Sequence, residues 1–155
     1  TMRPCQTLRA LVLIVFSGVA GLSGPDRSAL AAGTSPIDTA LETCLEQNQT
    51  TAGMAQCLDQ AFTAWDGELN AAYKAVMAGL PPEAKTALRT AQRDWVAFKD
   101  AQIASFRSML APQDGTIWPL VASRYAIDLV RKRAVELRCY AKMTDMEGPA
   151  DPNCP

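Results

Sequence analysis

Trp65-Asp66-Gly67-Glu68-Leu69-Asn70-Ala71-Ala72-Tyr73 and Ala91-Gln92-Arg93-Asp94-Trp95-Val96-Ala97-Phe98-Lys99-Asp100 decide the fold. In each, a large aromatic recurs with other apolar residues at steps of three and four, the period of one helical face. Around the first, Met54, Cys57, Leu58, Ala61, Trp65, Leu69, Tyr73, Val76 and Leu80 form one stripe. Around the second, Ala84, Leu88, Ala91, Trp95, Phe98, Gln102 or Ile103, Phe106 and Leu110 form another. Gly79-Leu80-Pro81-Pro82 separates them, with glycine at a helix end and proline in a first turn. So short a joint makes the two helices expected antiparallel neighbours, sharing one core between Trp65 and Trp95.

Two further helices complete the pattern. A short one is expected over 37–47, capped by Ser35 or Asp38 and broken by Asn48-Gln49, with Thr50 or Thr51 capping the next. The long helices then span 52–78, 82–110 and 117–143. In the last, Ile117, Leu120, Ile127, Val130, Ala134, Leu137 and Ala141 are expected to face inward. Its cations, Arg131, Lys132, Arg133, Arg138 and Lys142, lie toward the C-terminal end, where the helix dipole favours them. The fold class is therefore all-α: a small antiparallel bundle of one short and three long helices.

The address is read from the ends. Arg3 and Arg9 precede an apolar run over 10–22, and Ala29-Leu30-Ala31 is an A-x-A site. That order describes a secretory signal peptide over 1–31. The run is shorter than the roughly 20 residues a membrane span needs, so no membrane association is expected after cleavage. The mature domain is expected over 32–147, with an irregular, Pro-rich tail over 148–155. The leader takes Arg3, Arg9 and Arg27 but only Asp26, so the mature chain is more acidic than the overall formal charge of −1. That excludes the basic stripe a nucleic-acid binder needs. The exported chain is expected to be secreted or periplasmic, in a bacterial envelope.

Four cysteines remain beyond the leader: Cys44, Cys57, Cys139 and Cys154. An even number in a small exported domain reads as two disulfides. Of three connectivities, the pairs nearest in sequence are expected, Cys44 with Cys57 and Cys139 with Cys154. Each closes a loop of about 15 residues, worth roughly 3 kcal/mol in the chain-entropy account. Without histidine or C-x-x-C spacing, neither a metal nor any cofactor is expected.

The absence of histidine also removes the usual nucleophile–base pairings. Asp66 and Glu68 are the obvious paired carboxylates, but residues two apart on a helix diverge by about 200°. A hydrolase is therefore the weaker expectation, and a non-enzyme the stronger. The polar signature Asp66, Glu68, Asn70, Gln92, Arg93, Asp100, Arg133 and Glu136 instead flanks the aromatic stripes. It would serve as a rim of hydrogen bonds fixing helix register, or as a binding surface.

Trp65-Asp66-x-Glu68-Leu69-Asn70-x-x-Tyr73, Leu80-Pro81, Leu88-Arg89-x-Ala91-Gln92-Arg93-x-Trp95-x-x-Phe98-Lys99-Asp100-Ala101, Gly115-Thr116-Ile117-x-Pro119 and Arg133-x-x-Glu136-Leu137 together resemble the LprI-like lysozyme-inhibitor family. The resemblance spans about 44–137. It implies a small, exported, disulfide-linked helical domain that inhibits a peptidoglycan-cleaving lysozyme. It also implies a departure: a cysteine pair common in that family falls here on Ile103 and Tyr125, so an apolar contact would replace a cystine. The partner would be lysozyme or another exported protein. Gln113, Asp114 and Thr116, in the turn before the last helix, are candidates to meet a basic enzyme, or are simply a connecting turn. The alternative function is an envelope adaptor that binds another exported protein or a cell-wall component.

Overall fold

The computed structural model describes residues 35–145 and Cys154. The expected signal peptide and most of the expected tail lie outside the described residues. Among the described residues there are four helices: α1 (Pro36–Gln47), α2 (Thr51–Gly79), α3 (Pro82–Leu110) and α4 (Ile117–Asp145). Each boundary has a local cause. The Ser35 hydroxyl accepts from the Ile37 amide and caps α1, with Pro36 in its first turn. Thr50 caps α2 by accepting from the Gly53 amide at 3.0 Å. Gly115, at φ 109°, makes the left-handed turn that leads into α4.

The core is one continuous cluster. Leu58, Ala61, Trp65, Leu69, Ala72 and Val76 of α2 meet Leu120, Ile127, Val130, Ala134 and Leu137 of α4, with Leu41 of α1 at the side. Trp65 is 1 % exposed and is the largest side chain in it. Burying such an indole is worth about 3 kcal/mol or more. Two disulfides hold the edges. Cys44–Cys57 ties α1 to the start of α2, and Cys139–Cys154 ties the C-terminal residues back to α4. Both pairings are the expected ones.

The packing order corrects one expectation. The closest pair is α2 with α4, while α3 rests mainly on α4 and meets the shared core only at its edge, through Leu88 and Trp95. Cross-links fix the directions. Thr51 meets Thr116, and further along Glu68 reaches Arg138, so α2 and α4 run parallel. Asp38 pairs with Arg131 and Glu42 with Arg124, so α1 runs antiparallel to α4. Gln102 meets Tyr125 and Gln92 meets Arg133, so α3 is antiparallel to α4 as well. Thus α3 carries the chain back so that α2 and α4 can lie side by side.

Three inward assignments also fail, and Ala91 on α3 is one, since it is exposed. Phe98 is 55 % exposed and Ile117 is 52 % exposed. Phe98 sits at the margin of an α3 face already filled by Trp95, Lys99 and Gln102, all half-buried. Ile117 opens α4 on the solvent side of the Gly115 turn, before the helix reaches the core at Leu120.

Candidate functional site

Where α3 crosses α4, the sequence places long polar side chains on the inward face, and they form one connected array. Arg133 is buried, with 9 % of its side chain exposed. Its Nε donates to Gln92 Oε1 at 3.0 Å and its Nη1 donates to Glu136 Oε2 at 2.7 Å. Tyr140, one turn beyond Glu136, donates its hydroxyl to Oε1 at 2.5 Å. The guanidinium also lies 5.8 Å from the centre of the Trp95 ring. A buried guanidinium needs such partners, because an unpaired one carries its full desolvation cost.

The array tunes its own ionisation. Partial burial pushes the Glu136 carboxyl up, but the bond from Tyr140, with the bond and charge of Arg133, outweighs it and holds the group below 4.5. The bond to the Glu136 carboxylate, with burial and the carboxylate's charge, raises the Tyr140 phenol above 10.0. Between those limits the array stays as an ion pair with a neutral phenol.

A second array surrounds Trp65. Its indole N–H donates to Asp38 Oδ1 at 3.2 Å. Asp38 Oδ2 lies 2.9 Å from Arg131 Nη2, at ion-pair distance but out of hydrogen-bond alignment. The guanidinium carbons of Arg131 and Arg138 lie 5.7 and 5.9 Å from the Trp65 ring centre. Asp38, Arg131, Arg138 and Tyr140 are absent from the sequence-derived site. For three of them the signal was spacing: Arg131 and Arg138 fall seven apart, on one helical face, and Tyr140 lies four from Glu136.

The rest of the polar signature is divided. Asp66 and Asn70 bond to each other along α2 at 3.0 Å and face Gln92 and Arg93 across a trough between α2 and α3, of about 470 Å³. Glu68 points elsewhere, toward Arg138 at 3.9 Å. Asp66 and Glu68 therefore have different neighbours and do not converge. Asp100 pairs with its neighbour Lys99 at 3.3 Å and lines a further cavity of about 630 Å³ with Asp59 and Arg107. Lys99 lines both cavities, and Ser123 and Ala126 of α4 contribute to the second.

Gln113, Asp114 and Thr116 are exposed. The turn is held, since the Asp114 carbonyl accepts from Trp118 Nε1 at 2.9 Å and the Thr116 hydroxyl meets Thr51 at 3.3 Å. That contact sets the turn beside the α1–α2 joint. At the sites of the implied missing cystine, Ile103 is buried while Tyr125 stacks on Phe106 with ring centres 4.2 Å apart. Tyr125 also accepts from Gln102 Nε2 at 2.9 Å. An aromatic stack with one hydrogen bond thus joins α3 to α4 there.

Among the described residues, no group of carboxylates and cysteines is placed to hold a metal ion. No described helix is long and apolar enough to cross a membrane. Fold and side-chain arrangement define a class: a disulfide-stapled, all-α domain whose polar residues link helices and line open troughs. Within that class, the chain belongs to the family described as lysozyme inhibitor LprI, whose sequence pattern matches residues 44–137. It is 32 % identical over 97 residues to an uncharacterized protein of Rhizobium meliloti (strain 1021), covering 53 % of this chain and 67 % of that one. It is also similar to the crystal structure of an uncharacterized protein from Burkholderia thailandensis, with TM-score 0.67 and 30 % identity. That similarity covers 74 % of this chain and 57 % of the Burkholderia chain, so this chain spans little over half of that protein's length.

Proposed function

We propose that this protein is an exported, non-catalytic inhibitor that binds a peptidoglycan-cleaving lysozyme. Membership of the lysozyme-inhibitor family, across residues 44–137, carries the proposal. Charge distribution supports it. From Ser35 to Tyr73 every charged side chain is acidic: Asp38, Glu42, Glu46, Asp59, Asp66 and Glu68. Glu42, Glu46 and Asp59 are exposed, Glu42 being paired with Arg124, and the turn carrying Asp114 is tied to Thr51 at the start of α2. An acidic edge of this kind attracts a basic enzyme and chiefly raises the association rate. Two disulfides suit an oxidising compartment outside the cytoplasm, in keeping with the leader-like sequence of residues 1–31. The diverging neighbours of Asp66 and Glu68 favour a binder over a hydrolase.

The test is a titration of the oxidised chain against hen-type and bacterial lysozymes, read as lysis of cell walls. Lytic activity is expected to fall as the chain approaches stoichiometry, less so in high salt. Full lysis at excess inhibitor with every enzyme would remove the proposal.

A further inference from the structure

Charge on α4 is the reverse of that on α1 and α2. Its C-terminal half lines an open cleft of about 630 Å³ with four cations, Arg131, Lys132, Arg133 and Arg138, against one carboxylate, Glu136. Half-buried Trp95 forms its aromatic wall, Leu129 and Val135 add apolar surface, and the buried Trp65 lies behind Arg131 and Arg138. The chain as a whole is acidic, so a basic concavity stands against the overall charge. Helix-dipole preference accounts for cations near a C-terminus. It does not account for their gathering around a cavity walled by an indole and aliphatic side chains.

We propose that this cleft binds an acidic peptide segment of a partner protein. Three observations select that occupant. The side chains of Arg131 and Arg138 are each 46 % exposed, so they retain accessible donors beyond their internal pairs. Lys132 is exposed and has no ion-pair partner among the described residues. Arg131 to Arg138 covers about 10 Å of helix, longer than a single anion and suited to charges spaced along a chain. The internal partners of these arginines, Asp38, Glu136 and Glu68, are all peptide carboxylates, which the guanidinium fork matches. The apolar walls favour a peptide with apolar side chains over a polyphosphate, which offers none. A basic cleft repels a basic enzyme, so this surface is separate from the acidic edge assigned to lysozyme and does not depend on that assignment.

The experiment uses the oxidised chain and a short fluorescent peptide alternating glutamate and leucine, read by anisotropy. Saturable binding is expected that weakens as salt shortens the screening length to about 10 Å and below. The double variant Lys132→Glu, Arg138→Glu is expected to weaken it about tenfold or more, since two attractive contacts become repulsive. Lys74→Glu, on exposed α2 surface, should leave it unchanged. Unchanged thermal melting separates loss of binding from loss of fold. No saturable binding at low salt, or an unaffected double variant, would overturn the proposal. So would equal affinity for a polyphosphate of matched charge, or sedimentation showing that the cleft is closed by a second copy of the chain.

Discussion

α2 and α3 are each 29 residues long, and each carries a tryptophan at its middle. Yet α2 buries seven side chains and α3 only Ile103. The difference is one of neighbours. α2 packs on α1 and α4 and is stapled by a disulfide, while α3 packs mainly on α4 and only edges onto the core through Leu88 and Trp95. Its inward arc alternates Leu88, Trp95 and Phe106 with Lys85, Gln92, Lys99 and Gln102, all half-buried. Long polar side chains bridge to partners across a gap, whereas apolar ones close it. The α2–α4 pair is therefore the scaffold, and α3 is a second wall that leaves a trough.

The sharpest test of that contrast compares the two tryptophans. Trp65→Ala should destabilise by about 3–5 kcal/mol in denaturant unfolding, because it empties the centre of a closed core. Trp95→Ala should cost roughly half as much, being half-buried at the edge of the core with Lys99 and Arg133 over its ring. Equal costs would mean that α3 is as deeply engaged as α2. Next in size is the staple. Replacing Cys44 and Cys57 by alanine should cost about 2–4 kcal/mol and loosen α1 from α2.

How much of this was legible follows from what periodicity can report. The four helices, their ends and both cystines were readable, because caps, prolines and apolar spacing are local. The partner of each stripe was not. Trp65 and Trp95 carry the same signal, although one faces a parallel helix two elements away and the other faces an open trough. The same limit applies to the candidate site. Arg133 and Glu136 were legible as members of a polar rim, but their pairing with Gln92 arises only from the crossing of α3 over α4. Asp38 with Trp65 and Arg131 draws on three helices and has no sequence spacing to betray it.

The Arg133 array is where α3 is held, so it sharpens the comparison at intermediate cost. Arg133→Ala should destabilise by about 1–2 kcal/mol, discounted because Glu136 is partly solvated. Its pH signature has a definite sign. Glu136 has a depressed folded pKa, so its contribution is present above the ordinary carboxylate range and is lost as pH falls through the folded value. Tyr140 has a raised one, so its contribution is present below the ordinary phenol value of 10.0 and is lost as pH rises through the folded value. Glu136→Gln should flatten the acid limb of melting temperature against pH, and Tyr140→Phe the alkaline limb.

The smallest effects come from two glycines of α2. At Gly53 an added Cβ would meet Asn48 Cβ at 2.9 Å and Thr50 Oγ1 at 3.0 Å. Gly53→Ala should therefore strain the α1–α2 joint and lower the melting temperature. At Gly67 nothing lies within 4 Å, so Gly67→Ala should stabilise the helix by about 0.5–1 kcal/mol.

Hydrogen exchange of the oxidised chain, alone and with a hen-type lysozyme, puts scaffold and binding edge to one measurement. The expected result is slow exchange through the middle of α2 and α4, faster exchange along α3, and new protection at the α1–α2 edge and residues 113–116 when the enzyme is added. Protection that is uniform over α2 and α3, with no change on adding the enzyme or with protection along α4 instead, would contradict the account.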